Sequence, residues 1–131
     1  EAKSDERQRK ALHLLCIEDN PTNLDLIRQY FQRQQGVSLT TAEDAESGLA
    51  MAFDQEPDLI LMDINLPGMN GYQALKQLKQ SAVTRYIKVV ALSANAMAED
   101  IDKGLAAGFD HYLTKPINFS ELQQTIDSLL S

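Results

Sequence analysis

The chain has 131 residues and a formal net charge of −7, with 12 basic against 19 acidic side chains. This length suits a single domain with its own hydrophobic core, and the acidic balance argues against nucleic acid as a direct partner, because phosphate binding needs clustered Lys and Arg. No apolar run approaches the roughly 20 residues that a bilayer-spanning helix needs, so we expect no membrane contact by this domain. Residues 1–11 are mostly polar and charged, which predicts a linker or tail before a domain at 12–131.

Apolar runs with strand character alternate with helical periods along the rest of the chain. Strands are predicted over residues 12–17, 37–42, 58–62, 87–92 and 109–113, each followed by a helix. The first helix starts with Asn20 as its cap and Pro21 in the first helical position. The last starts at Asn118, with Glu121 in a capping-box arrangement. The fourth helix is marked by the apolar spacing of Met97, Ile101 and Leu105.

Five consecutive strand–helix units predict an α/β fold with a parallel sheet and helices on both faces. Predicted strands 1, 3 and 4 are nearly continuous apolar, as expected where both faces of a strand are covered. Strands 2 and 5 mix in polar residues and are predicted at the edges. The resulting order, 2-1-3-4-5, is the flavodoxin-like doubly wound (βα)5 arrangement, in which the ligand crevice opens between strands 1 and 3.

Polar side chains follow the ends of four predicted strands. Glu18 and Asp19 follow strand 1, Asp63 follows strand 3, Ser93 follows strand 4, and Lys115 comes soon after strand 5. Because parallel strands end at one edge of a sheet, we expect these side chains to lie close together. Three crowded carboxylates favour a bound cation. Asp19 and Asp63 can supply carboxylate ligands to Mg²⁺, with Glu18 acting directly or through water.

Asp63 is the predicted nucleophile, because an aspartyl carboxylate can accept a phosphoryl group and form an acyl phosphate. Lys115 can direct its positive charge at a phosphoryl oxygen. A cis Lys115–Pro116 bond would form a sharp turn and aim the lysine inward. Ser93 can donate a hydrogen bond to the phosphoryl group, and the small side chain of Ala94 leaves space for it.

Four short motifs carry these side chains in a set order along the chain. They are Glu18-Asp19-Asn20-Pro21, Met62-Asp63-Ile64-Asn65-Leu66-Pro67-Gly68-Met69-Asn70-Gly71, Ala91-Leu92-Ser93-Ala94 and Lys115-Pro116. This ordered set resembles the receiver domain of two-component response regulators, over about Leu12 to Leu130. Each motif is modest alone, but the set with these spacings is highly specific. Glu18 stands where Asp is more frequent and Ser93 where Thr is more frequent, and both keep the functional group.

The resemblance implies a chemical role for each residue near the strand ends. Asp63 would be the phosphoacceptor. Asp19, Asp63 and the backbone carbonyl of Asn65 would bind Mg²⁺ or Mn²⁺, and Glu18 would hold a metal-bound water. Lys115 would contact the phosphoryl group.

The resemblance also implies a switch. Ser93 would be the switch hydroxyl, and Tyr112 would be the aromatic side chain that swings inward with it. Phosphorylation would then change the face formed by helix 4, strand 5 and helix 5. Asn65 and Asn95 occupy the two positions that tune dephosphorylation in this family.

The implied partner is a phosphohistidine donor, either a histidine kinase dimerisation domain or a histidine phosphotransfer protein, with an unidentified downstream target. Because the chain starts with Glu1 rather than Met, we expect it to have been processed or cut from a longer polypeptide. Its motifs look like receivers of hybrid sensor histidine kinases, whose parent chain can be membrane-anchored; a stand-alone receiver or a response-regulator fragment stays open. The single cysteine, Cys16, suits a reducing compartment, and we expect a cytoplasmic domain.

Two other functions stay open from the sequence. A magnesium-dependent phosphatase of the haloacid dehalogenase type also uses a strand-end Asp nucleophile, but it needs a second Asp where this chain has Asn65. A non-phosphorylated interaction module would be expected to lack part of the acid set. As a receiver, the domain alone would perform at most self-phosphotransfer and self-dephosphorylation, although the parent chain can be a kinase.

Overall fold

The computed structural model describes residues 12–131 and contains one five-stranded sheet in the order β2-β1-β3-β4-β5. All neighbouring strands are parallel. The strands β1–β5 span Leu12–Ile17, Val37–Ala42, Leu59–Asp63, Lys88–Ser93 and His111–Thr114, and the helices α1–α5 span Pro21–Gln32, Ala45–Gln55, Gly71–Gln80, Ala98–Ala107 and Phe119–Leu130. The predicted fold class and strand order are confirmed, whereas the predicted linker at 1–11 lies outside the described residues.

The last three strands begin and end one or two residues later than predicted. As a result, Asp63 and Ser93 are the final residues of β3 and β4 rather than the first residues after them. Asp63 pairs with Leu92 in the sheet, and Ser93 pairs with Thr114. Their backbones are therefore held by the sheet, which fixes the points from which the two side chains extend.

Each face of the sheet packs its own hydrophobic cluster, because side chains alternate between faces along a strand. On one face, Leu15 and Ile17 of β1 pack with helices α2, α3 and part of α4. On the other face, Leu14 and Cys16 pack with α1 and α5. Cys16 is fully buried, and burial raises the pKa of its thiol, as expected for a core cysteine rather than a reactive one.

The starts of two helices agree with the sequence only in part. Asn20 caps α1 by accepting a hydrogen bond from the N–H of Asn23, and Pro21 takes the first helical position. Asn118 likewise accepts from the N–H of Glu121, but among the described residues the Glu121 side chain accepts no hydrogen bond from the Asn118 N–H in return, so the capping-box prediction was wrong. Within residues 12–131 the reciprocal capping box forms instead at the start of α3, between Asn70 and Gln73.

Of the three residues whose apolar spacing marked the fourth helix, only Ile101 faces the core. Met97 precedes α4 and is 62% exposed, and Leu105 is 45% exposed. The inward side of α4 carries Gly104, which is buried, and Ile101, which is partly buried. The reason is that an aromatic ring from β5, that of Tyr112, occupies the space beside Gly104.

Among the described helices, none combines the length and hydropathy of a membrane span.

Candidate functional site

Three acidic side chains meet at the carboxyl ends of β1 and β3. One carboxylate oxygen from each of Glu18, Asp19 and Asp63 lies within 4.8 Å of the others. Glu18 and Asp63 are buried, whereas Asp19 is exposed. The cluster therefore contains two buried acids and one acid that is exposed to solvent.

Lys115 joins this cluster from the segment after β5. Its Nζ lies 2.9 Å from Glu18 Oε1 and 3.0 Å from Asp63 Oδ2. Its backbone N–H donates to the carbonyl of Ser93 at 2.9 Å, which ties the lysine to the end of β4. The Lys115–Pro116 peptide bond is cis. One ammonium against three carboxylates leaves two formal negative charges without a cationic partner in the cluster.

In the loop after β3, Gly71 packs closely against the backbone of Asp63 and Ile64. A Cβ added to Gly71 would lie 2.8 Å from both the carbonyl oxygen of Asp63 and the Cα of Ile64. The N–H of Gly71 donates to the Ile64 carbonyl at 2.9 Å, and the N–H of Ile64 donates to the Leu92 carbonyl at 3.0 Å. The start of α3 is thereby packed directly against the backbone that carries Asp63.

Backbone N–H groups orient the two buried acids. The N–H of Asn65 donates to Asp63 Oδ1 at 3.0 Å, and the N–H of Asn20 donates to Glu18 Oε2 at 3.0 Å. The side-chain amide of Asn23 lies 3.5 Å from Glu18 Oε1. The sequence assigned Asn20 only to a helix cap and gave Asn23 no role; their position just after Glu18 was the one available signal.

Burial and charge act together on the pKa values of the site. Burial raises the pKa of Glu18, although the hydrogen bonds from Lys115 and from the Asn20 N–H oppose this shift. For Lys115, partial burial lowers the pKa, but the hydrogen bonds to Glu18 and Asp63 outweigh it, so the lysine pKa is raised overall. Lys115 therefore stays cationic at neutral pH.

The predicted switch residues are connected through one peptide segment. Ser93 is fully buried, and its Oγ accepts a hydrogen bond from the N–H of Asn95 at 3.0 Å. The hydroxyl of Tyr112 donates to the carbonyl of Asn95 at 2.9 Å. Tyr112 is itself buried in the core cluster on the sheet face that α2 and α3 cover. The backbone of Asn95 thus joins the two hydroxyl side chains, a connection that the sequence did not indicate.

A pocket of about 230 Å³ lies beside this pair, and its lining includes Asn65, Ser93, Asn95 and Tyr112. Asn65 and Asn95 therefore line the same pocket, and their role in tuning dephosphorylation stays a prediction. Ala94 lies exposed beside Ser93. The metal contact of the Asn65 carbonyl and the phosphoryl contact of Ala94 stay predictions.

Comparison with known sequences identifies relatives along nearly the whole chain. The chain is 34% identical over 118 residues to protein PilH of Pseudomonas aeruginosa, a match covering 90% of this chain and 97% of PilH. It is 36% identical over 121 residues to the sensor histidine kinase GacS of Pseudomonas protegens, covering 89% of this chain but 13% of GacS. The chain therefore spans a small part of some relatives and almost all of others.

Solved structures agree with these relatives. The receiver domain of the sensor histidine kinase PA1611 from Pseudomonas aeruginosa, with a magnesium ion coordinated in its active site cleft, is 34% identical with a TM-score of 0.81, covering 92% of this chain and 99% of that one. The receiver domain of Saccharomyces cerevisiae Ssk1, solved with the histidine phosphotransfer protein Ypd1, is 25% identical with a TM-score of 0.82, covering 92% and 89%. Residues 14–127 match the family described as the response regulator receiver domain. The chain belongs to this family and is a receiver domain of two-component signalling, as its motifs predicted.

Proposed function

We propose that Asp63 of this receiver accepts a phosphoryl group from a phosphohistidine. The observation that carries the proposal is the contact of the Lys115 ammonium with both Glu18 and Asp63, in a cluster that also contains Asp19. A carboxylate beside a fixed cation at a strand end is the arrangement that phosphoryl transfer to aspartate needs, because the reaction depends mainly on positioning and charge neutralisation.

In the proposed transfer, a carboxylate oxygen of Asp63 attacks phosphorus, the P–N bond to the donor histidine breaks, and the imidazole leaves with the bonding electron pair. The product is an acyl phosphate on Asp63. The Asn65 N–H holds one oxygen of Asp63 and Lys115 holds the other, so the carboxylate is oriented before the donor arrives. Lys115 is then placed to stabilise the negative charge of the phosphoryl oxygens.

The acid cluster fits a divalent cation. Its ligand atoms are carboxylate oxygens, which Mg²⁺ prefers, and its two uncompensated negative charges match the charge of the ion. Glu18, Asp19, Asp63 and the carbonyl of Asn65 would hold Mg²⁺ or Mn²⁺, and the bound ion would supply positive charge to the phosphoryl oxygens. The magnesium ion in the PA1611 receiver supports this assignment.

The donor would be a histidine kinase dimerisation domain or a histidine phosphotransfer protein, acting in the cytoplasm. The structure of Ssk1 with Ypd1 supports the second class, and the similarity to part of GacS supports a hybrid sensor histidine kinase as the parent chain. The phosphatase alternative is disfavoured, because Asn65 stands where that mechanism needs an acid.

The test is incubation of the chain with Mg²⁺ and acetyl phosphate, followed by intact mass spectrometry. We expect an adduct of one phosphoryl group with Mg²⁺ and none when EDTA removes the metal. The same adduct should form from a phosphorylated histidine phosphotransfer protein. Absence of an adduct with both donors would overturn the proposal, and steady hydrolysis of a small phosphoester would favour the phosphatase.

A second prediction concerns Ser93. Ser93→Ala should still form the adduct, but its coupling to the face of α4, β5 and α5 should weaken about fivefold, as expected for one lost hydrogen bond of about 1 kcal/mol. The measurement is the change in amide NMR shifts on α4 when Asp63 is phosphorylated. Ser38→Ala, at an exposed position on the edge strand β2, is the control. Equal shift changes in all three proteins would rule out a coupling role for Ser93.

A further inference from the structure

Gly104 stands in the interior of α4, directly against the ring of Tyr112. A Cβ added at this position would lie 2.7 Å from Cδ2 and 2.9 Å from Cε2 of Tyr112. Both distances are too short for carbon atoms in contact. The next nearest atom, the hydroxyl of Tyr72, would be at an ordinary 3.8 Å. The obstacle to a side chain at position 104 is therefore the ring of Tyr112.

The conformation of Gly104 does not itself require glycine. It lies inside the helix Ala98–Ala107 and, unlike Gly108 with its φ of 117°, has no positive φ. Alanine is favoured over glycine in a helix interior, because glycine loses more backbone freedom on folding. A glycine here lowers the stability of α4, and the structure offers one compensating contact, which is the packing of the Tyr112 ring.

The Tyr112 ring, which packs against Gly104, is connected to Ser93 by hydrogen bonds. Tyr112 is 8% exposed, and its hydroxyl bonds the carbonyl of Asn95, whose N–H bonds Ser93 Oγ. If the ring moved away from α4, its hydroxyl would leave the Asn95 carbonyl. The ring that packs at position 104 is thus linked to Ser93 through two hydrogen bonds.

We propose that Gly104 is a positioning residue: because it lacks a side chain, it leaves room for the Tyr112 ring in the inward position, the one that this ring is expected to adopt together with Ser93 when the domain switches. A side chain at 104 displaces the ring, because the ring can rotate outward at the surface whereas the α4 backbone is held by its own hydrogen bonds. The role in signalling rests on the proposed function of Asp63, but the position of the ring does not.

A double-mutant cycle tests this inference. Gly104→Ala should lower the melting temperature when Tyr112 is present. It should raise the melting temperature in a Tyr112→Ala background, where the clash with the ring is absent and only the higher helix propensity of alanine acts. The same sign of change in both backgrounds would overturn the proposal. So would failure of the Gly104→Ala/Tyr112→Ala double variant to fold where Tyr112→Ala alone folds, since the clash would then lie elsewhere.

The ring position is read separately, by ¹⁹F NMR of chains labelled with fluorotyrosine. The protein has four tyrosines, and the resonance missing from Tyr112→Phe assigns that of Tyr112. We expect Gly104→Ala to move this resonance toward its value in unfolded protein, while those of Tyr30 and Tyr86 stay in place. If the Tyr112 resonance does not move, the proposal is wrong.

These measurements use unphosphorylated protein, so they are independent of the adduct test. If wild-type protein forms no adduct, the proposed function fails although Gly104 can still hold the ring. If the adduct forms but the cycle shows no change of sign, the positioning role alone fails.

Discussion

Asp63→Asn is expected to abolish the phosphoryl adduct that the wild-type chain forms with Mg²⁺ and acetyl phosphate. The amide has nearly the same size and can still accept the hydrogen bond of the Asn65 N–H, but its oxygen is a poor nucleophile and it carries no charge for a cation. Loss of the adduct would therefore reflect chemistry rather than a change of shape. Intact mass spectrometry of both proteins under identical conditions measures it.

Asp102→Asn is the matched control for this experiment, because Asp102 is exposed on α4 and lies outside the acid cluster. It should form the adduct as the wild type does. An adduct of equal yield on Asp63→Asn would show that another side chain is the acceptor, and tandem mass spectrometry would then locate it.

Lys115→Met is expected to lower the free energy of unfolding by about 3 kcal/mol in the absence of divalent metal. The substitution leaves the buried Glu18 carboxylate without its cationic partner, and an uncompensated buried charge costs more than the net value of the pair it came from. Methionine keeps most of the apolar stem, so the loss is chiefly one of charge. Urea unfolding with EDTA present measures the difference.

The sign of the pH dependence follows from the pKa of Lys115. Because this pKa is raised in the folded chain, the folded state holds the lysine proton more tightly than the unfolded state does. The stabilisation from Lys115 is therefore complete at neutral pH and declines only as the pH rises through the alkaline range where lysine titrates. The gap between wild type and Lys115→Met should be constant near neutrality and narrow at high pH.

Lys76→Met controls for the loss of a lysine as such, since Lys76 is exposed on α3. It should change stability little, as is usual for surface substitutions. Mg²⁺ should restore more stability to Lys115→Met than to the wild type, because it supplies the missing positive charge. Equal stability of the Lys115 and Lys76 variants in EDTA would contradict the role of Lys115 as counter-charge.

Local patterns in the sequence were enough to predict the fold, and they also predicted that acidic side chains and a lysine meet at the strand ends. Apolar runs and helical periods are local patterns, so they located five strand–helix units, and the polar content of strands 2 and 5 placed these strands at the edges. Because parallel strands end at one edge, the same patterns predicted that Glu18, Asp63 and Lys115 meet. The structure brings Lys115 to Asp63 across 52 residues of sequence.

The contacts between side chains became known only from the folded chain. The backbone bridge at Asn95, the hydrogen bonds from Asn20 and Asn23 to Glu18, and the seating of Tyr112 against Gly104 depend on distances between separate segments. For the same reason the apolar spacing of α4 was right for Ile101 but wrong for Met97 and Leu105, which are exposed. A helix period describes one element, whereas the face that becomes buried depends on the shape of the neighbour packed against it.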